Sequence, residues 1–110
     1  MANDDMYVVM YRILAYIYDC MKKGSEPSAD AYSAEKLGIP QDYWNHIMNE
    51  LVNHGYLCGV SVHAMFGGSL VVSESRPRVT MEGVAFIEEN SMMGKAKAFL
   101  KEAKAAVPFV

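Results

Sequence analysis

The chain is poor in cations. Ten Lys and Arg stand against thirteen Asp and Glu over 110 residues, a formal net charge of −3 with His neutral. Proteins that hold nucleic acid displace phosphate counterions with Lys and Arg, so any DNA contact here must come from a local basic patch. Cysteine is scarce as well. Cys20 and Cys58 are too few for a disulfide framework, and both read as small buried thiols in a reducing compartment. Long apolar runs are missing: the most apolar stretch, Met6 to Tyr18, is broken by Arg12 and falls short of the roughly 20 residues a membrane span needs. No membrane contact is expected. The first five residues are acidic where a secretory leader is basic, so a cytoplasmic setting is expected.

Catalytic signatures are absent too. Ser69 follows Gly67-Gly68 but lies in no G-x-S-x-G elbow, and the glycine pair sits between strand-like segments rather than before a helix, where a phosphate loop would sit. His54, Cys58 and His63 are three candidate zinc ligands on a helix end, a strand and a hairpin, without the paired spacing of a zinc site. Neither an enzyme, nor a cofactor, nor a metal is expected.

What is present is a core. The chain is 52% hydrophobic and 21% charged, and its length suits one domain spanning 1–110. Met6, Met10, Ile13, Leu14, Ile17 and Met21 recur at helical spacing, predicting a first helix over about 5–23. Lys22, Lys23 and Gly24 suit its end, and Ser25 to Ser28 read as a turn. Ser33 caps a short second helix, Gly38-Ile39-Pro40 turns the chain, and a third helix follows from Gln41 to His54 with Trp44, Ile47, Met48 and Leu51 inward. Tyr56 to Val62 alternates as a strand, Gly67-Gly68 turns, and Leu70 to Val72 returns. Ser73 to Pro77 reads as a polar loop and Arg78 to Thr80 as a last short strand. Thr80 caps a helix over Met81–Glu89, Asn90 and Ser91 interrupt it, and a last helix runs from Met92 to about Val107. Most of the nine methionines, Met65 and Met81 among them, are placed on apolar stripes as core filling.

This order predicts an α+β winged helix-turn-helix: a three-helix core, a small antiparallel sheet as wing and a C-terminal helical extension. The helix-turn-helix takes about 33–54, the wing about 56–80 and the C-terminal helices about 81–107.

Five segments carry a resemblance. Tyr11-Arg-Ile-Leu14, Ser33-Ala-Glu-Lys-Leu-Gly-Ile39, Tyr43-Trp44-Asn45, Gly55-Tyr-Leu57 and Glu89-Asn-Ser-Met-Met93 resemble the YjcQ-like family of small bacterial and prophage proteins. The resemblance covers nearly the whole chain. It implies a winged-helix-like fold and a phage or prophage context, with a structural role in phage suggested for the family, and it brings no functional residues.

Candidate contact residues follow from the fold. The outward side of the third helix offers Gln41, Asp42, Asn45, His46, Asn49, Glu50 and Asn53, and Asn and Gln can pair with adenine in a major groove. Arg76 and Arg78 on the wing can touch DNA backbone. Against DNA, residues 33–62 carry Glu35, Asp42 and Glu50 with Lys36 alone in opposition. Phosphate contacts normally fix register before bases are read, and an acidic helix is repelled from the groove. Two readings follow: a DNA-binding regulator, or a protein-interaction or phage-assembly module that leaves DNA alone. In the last helix Lys97, Lys101 and Lys104 share one face, while Met92, Ala96, Phe99, Ala103 and Ala106 form an apolar seam with Met93, Leu100 and Val107 beside it. That seam is expected to pack on the first helix or on another subunit, in a homodimer through the first and last helices.

Overall fold

The computed structural model describes residues 3–90. Along the chain come α1 (Met6–Lys23), a 3-10 turn (Ala29–Tyr32), α2 (Ala34–Leu37), α3 (Gln41–Asn53), β1 (Leu57–Ala64), a 3-10 turn (Phe66–Gly68), β2 (Leu70–Val79) and α4, helical over residues 81–90. The arrangement is α+β and winged-helix-like, with α1, α2 and α3 as the core and the β1–β2 hairpin as the wing. The helix expected from Met92 to Val107 lies outside the described residues.

α1 forms because Val9, Met10, Ile13, Leu14, Ile17 and Cys20 fall on one side and all are buried. Its end is closed as predicted: the Ser25 N–H bonds the Cys20 carbonyl at 2.9 Å across Gly24, with Lys22 and Lys23 in the last turn. Ser33 caps α2 by accepting from the Lys36 N–H at 3.2 Å. Ile39 then plugs the core, tied by its N–H to the Ala34 carbonyl at 3.0 Å. α3 brings Trp44, Ile47, Met48 and Leu51 inward. Ile13, Leu14, Ile17, Ile47 and Leu51 are wholly buried, each contributing about 2 kcal/mol of apolar transfer. The one tryptophan also satisfies its polar atom: Nε1–H donates to the Tyr32 carbonyl at 2.8 Å, and the two rings stack at 6.4 Å.

The wing differs from expectation. β2 is one strand of ten residues; Ser73 to Pro77 is neither a loop nor a break, and Arg78–Thr80 is the end of that same strand apart from Thr80. The polar composition misled because a two-stranded ribbon leaves much of its surface to water. The pairing does shift there. Cys58 faces Arg78 and Val60 faces Glu74, so Ser75, Arg76 and Pro77 bulge opposite Gly59 alone. Pro77 has no N–H to give a ladder, which suits a bulge. Gly59 is required: its φ is +77°, and a Cβ would sit 1.9 Å from the Arg76 carbonyl oxygen.

Three smaller expectations fail with it. Cys58 is exposed, on the open side of the ribbon opposite Arg78, whereas Cys20 is buried as predicted. Met65 lies beside the hairpin turn and Met81 in the first turn of α4, both exposed, because apolar spacing gives no information where an element begins or turns. Asn90 continues α4 instead of interrupting it, its Nδ2–H donating to the Phe86 carbonyl at 2.8 Å.

α4 is held at its start by Thr80, whose Oγ1 accepts from the Gly83 N–H at 3.0 Å. It lies so close to the strand entrance that a Cβ on Gly83 would come within 2.3 Å of the Tyr56 carbonyl oxygen. Phe86 and Ile87 are buried, and the Phe86 ring meets Tyr7 of α1 edge-on at 5.8 Å.

Candidate partner surface on α3 and the wing tip

Gln41, Asp42, His46 and Asn53 are exposed on α3, and Asn45, Asn49 and Glu50 are half-buried. Asn45 has work inside the molecule. Its Oδ1 accepts from Gln41 Nε2 at 3.0 Å and its Nδ2 donates to the Leu70 carbonyl at 3.2 Å. The carboxamide therefore clamps the first residue of β2 against the first turns of α3. As a result the start of α3 and the hairpin turn stand side by side. A cleft of about 360 Å³ separates them, lined by Asp42, Asn45, Gly67, Gly68, Ser69 and Leu70. Beside it Phe66 is fully exposed, and Met65 and Val71 are exposed too. Further along α3, Glu50 lies 3.1 Å from His54 Nε2 and 3.9 Å from His46 Nε2, a surface row at four-residue spacing.

The wing arginines point elsewhere. Arg78 grips Glu26 with both terminal nitrogens, at 3.0 and 3.4 Å, and its Nη1 also donates to the Pro77 carbonyl at 2.8 Å. Arg76 reaches the same carboxylate at 3.6 Å. The hydrogen bonds from Arg78 hold the Glu26 carboxyl below the ordinary glutamate range, and that carboxylate in turn raises the Arg78 guanidinium. Leu70 and Arg78 lie eight positions apart along β2, on the order of 25 Å of strand. The arginines thus belong to the base of the wing, beside the end of α1, and not to its tip. The neighbouring lysines are engaged as well: Lys23 pairs with Asp19 at 3.0 Å and Lys22 Nζ lies 4.7 Å above the Tyr18 ring.

A further tie holds the wing from below. The buried Tyr32 hydroxyl donates to the Glu74 carboxylate on β2. Burial first, and that carboxylate second, push the Tyr32 phenol well above its usual range, so it stays a donor. Glu26, Tyr32 and Glu74 escaped sequence reading. Tyr32 and Glu74 are 42 residues apart and Glu26 and Arg78 are 52 apart, with no local pattern linking them.

The three candidate metal ligands are dispersed. His54 stacks on Tyr56 and pairs with Glu50, Cys58 faces Arg78, and His63 faces Val71 further up the ribbon. Among the described residues, no three His, Cys, Asp or Glu side chains converge. Nor is any helix among them long and apolar enough to cross a membrane.

Compared with known families, the chain matches the model of the YjcQ protein family over residues 11–106. The chain belongs to the YjcQ family. Neither a curated protein nor a solved structure matches it. The YjcQ match takes in α3, the whole wing and α4, so the clamp at Asn45 and the cation-free tip both fall inside the family region.

Proposed function

We propose that this YjcQ-family protein is a non-enzymatic interaction module that binds another protein through the outward side of α3 and the wing tip. One observation carries the reading. The surface where a winged helix meets DNA has no Lys or Arg from Gln41 to Ser75, while Arg76 and Arg78 are spent on Glu26 at the far end of the wing. Phosphate backbone contacts need cations at the docking face. In their place stand Asp42 and the exposed Met65, Phe66 and Val71, an acidic spot next to an apolar tip. Apolar and aromatic anchors set beside a pocket are what protein interfaces are built from. A phage-assembly or adaptor role in the cytoplasm fits this reading better than that of a DNA-binding regulator.

The test has two arms. A short mixed-sequence duplex titrated at low salt should give no band shift up to about 100 μM protein, where non-specific binders are already bound. A shift that fades steeply with salt and disappears in the Arg76→Ala/Arg78→Ala double variant would overturn the reading. In cross-linking from cells, a partner captured by the native chain should be lost with Phe66→Asp and retained with Arg76→Ala. The reverse pattern counts against the tip.

A further inference from the structure

The wing has two long edges, and they are guarded unequally. β2 carries Glu74, Arg76, Pro77 and Arg78, the charges and proline that discourage a further strand. It is also engaged from outside the hairpin, by Asn45 at the Leu70 carbonyl and by Tyr32 at the Glu74 carboxylate. β1 is the contrary case. From Leu57 to Ala64 it holds no Asp, Glu, Lys, Arg or Pro. The sheet has two strands, so one edge of β1 has no neighbouring strand among the described residues.

The phase of the hydrogen bonds decides which groups that edge presents. The Met65 N–H bonds the Ser69 carbonyl at 2.7 Å, which makes Met65 and Ser69 a hydrogen-bonded pair. Register runs unbroken from Ala64 opposite Leu70 to Val60 opposite Glu74, and bonded and non-bonded pairs alternate along it. Ser61 and His63 therefore bond to β2, while Val60, Val62 and Ala64 turn their N–H and carbonyl groups away from it. By the same count the Leu70 carbonyl points out of the hairpin, and its bond from Asn45 agrees. None of these outward groups on β1 bonds another described residue. Side chains alternate as well: Val60 and Val62 pack on the core, and Ser61 and His63 are exposed on the opposite face.

We propose that β1 pairs antiparallel with β1 of a second copy, about a two-fold axis at Val62, joining the two hairpins into one continuous sheet. The edge is its own complement. With Val62 opposite Val62, Val60 meets Ala64 and Ala64 meets Val60, so every outward N–H finds an outward carbonyl. The bonded positions are symmetric about Val62, which an isologous contact requires and a foreign strand does not. On the exposed face Ser61 comes opposite His63. β1 brings no Asp, Glu, Lys or Arg to the seam, so two chains of net charge −3 set no like charges against each other there. The pairing uses none of Asp42, Met65, Phe66 or Val71, so it stands apart from the partner reading above.

Sedimentation equilibrium of the full chain, at a slightly alkaline pH where histidine is uncharged, tests this. From about 10 μM to about 1 mM, where small interfaces assemble, the mass should climb from 12.2 kDa toward twice that value. Ser61→Lys with His63→Lys sets like charges opposite each other across the seam and should weaken the dimer about tenfold. Ser61→Lys with His63→Glu sets opposite charges there and should restore it, most fully at low salt. Both positions are exposed, and an unchanged urea midpoint of the dilute variants checks that they still fold. In the native chain the amides of Val60, Val62 and Ala64 should gain exchange protection as concentration rises, and those of Val72 and Glu74 should not. A chain that stays at 12.2 kDa throughout would overturn the proposal. So would a dimer populated equally in the like-charge and opposite-charge variants, which would place the contact elsewhere in the chain.

Discussion

The two ends of the hairpin are built in opposite ways. At the base, Arg78 and Arg76 converge on Glu26, Tyr32 donates to Glu74, and Gly59 lets two backbones meet. Charged groups there are matched inside the molecule. At the tip, Asn45 holds Leu70, but Phe66, Met65 and Val71 are exposed to water. Polar residues therefore secure the wing at its root, and apolar ones are displayed at its end. Stability is invested at the base; the capacity for contact remains at the tip.

Substitutions at the two ends should separate these roles. The largest effect is expected from Gly59→Ala, which combines a positive φ with a backbone collision. It should cost about 3 kcal/mol or more, read as a lower urea midpoint. Tyr32→Phe removes the hydroxyl beneath Glu74 and should cost about 1.5 kcal/mol in the same assay. Asn45→Ala should cost about 1 kcal/mol, with a local signature: faster amide exchange around residues 70–72 and little change in α1. A loss spread evenly over the domain would mean that Asn45 is no clamp.

Smaller again is the pH response of Glu26. Its carboxyl is lowered in the folded protein from the ordinary 4.5, so the pairing with Arg78 stabilises fully above that value and fades as pH falls through the lower folded one. Glu26→Gln should flatten that acid limb of Tm against pH, and added salt should shrink the difference because the pair is at the surface. Phe66→Ser should move the urea midpoint by no more than about 0.5 kcal/mol. A large loss there would show that the tip is structural, and the contrast between the two ends would collapse.

Much of the fold was legible because it depends on short-range pattern. Trp44, Ile47, Met48 and Leu51 share a face at helical period, Ser33 and Thr80 sit where caps belong, and Gly38-Ile39-Pro40 marks a turn. The length of β2 was not legible. A bulge of three residues opposite one interrupts alternation, so the strand reads as two pieces with a loop. The candidate surface was legible only in part. Gln41, Asn45 and His46 were placed on the outward side of α3, but that Asn45 is occupied by Leu70, 25 residues away, depends on how the hairpin folds back. Arg76 and Arg78 were recognised as wing residues, yet their end of the wing follows from where Glu26 emerges after α1.

The Asn45 clamp bears on how tightly a partner could be held. A loose wing would have to be ordered at the moment of binding, and that lost freedom would subtract from affinity. Here the hairpin turn is already fixed to α3 through the Leu70 carbonyl. On the proposed reading the tip would meet a partner preorganised, and cutting the clamp should show first as faster dissociation, before any change in what is recognised.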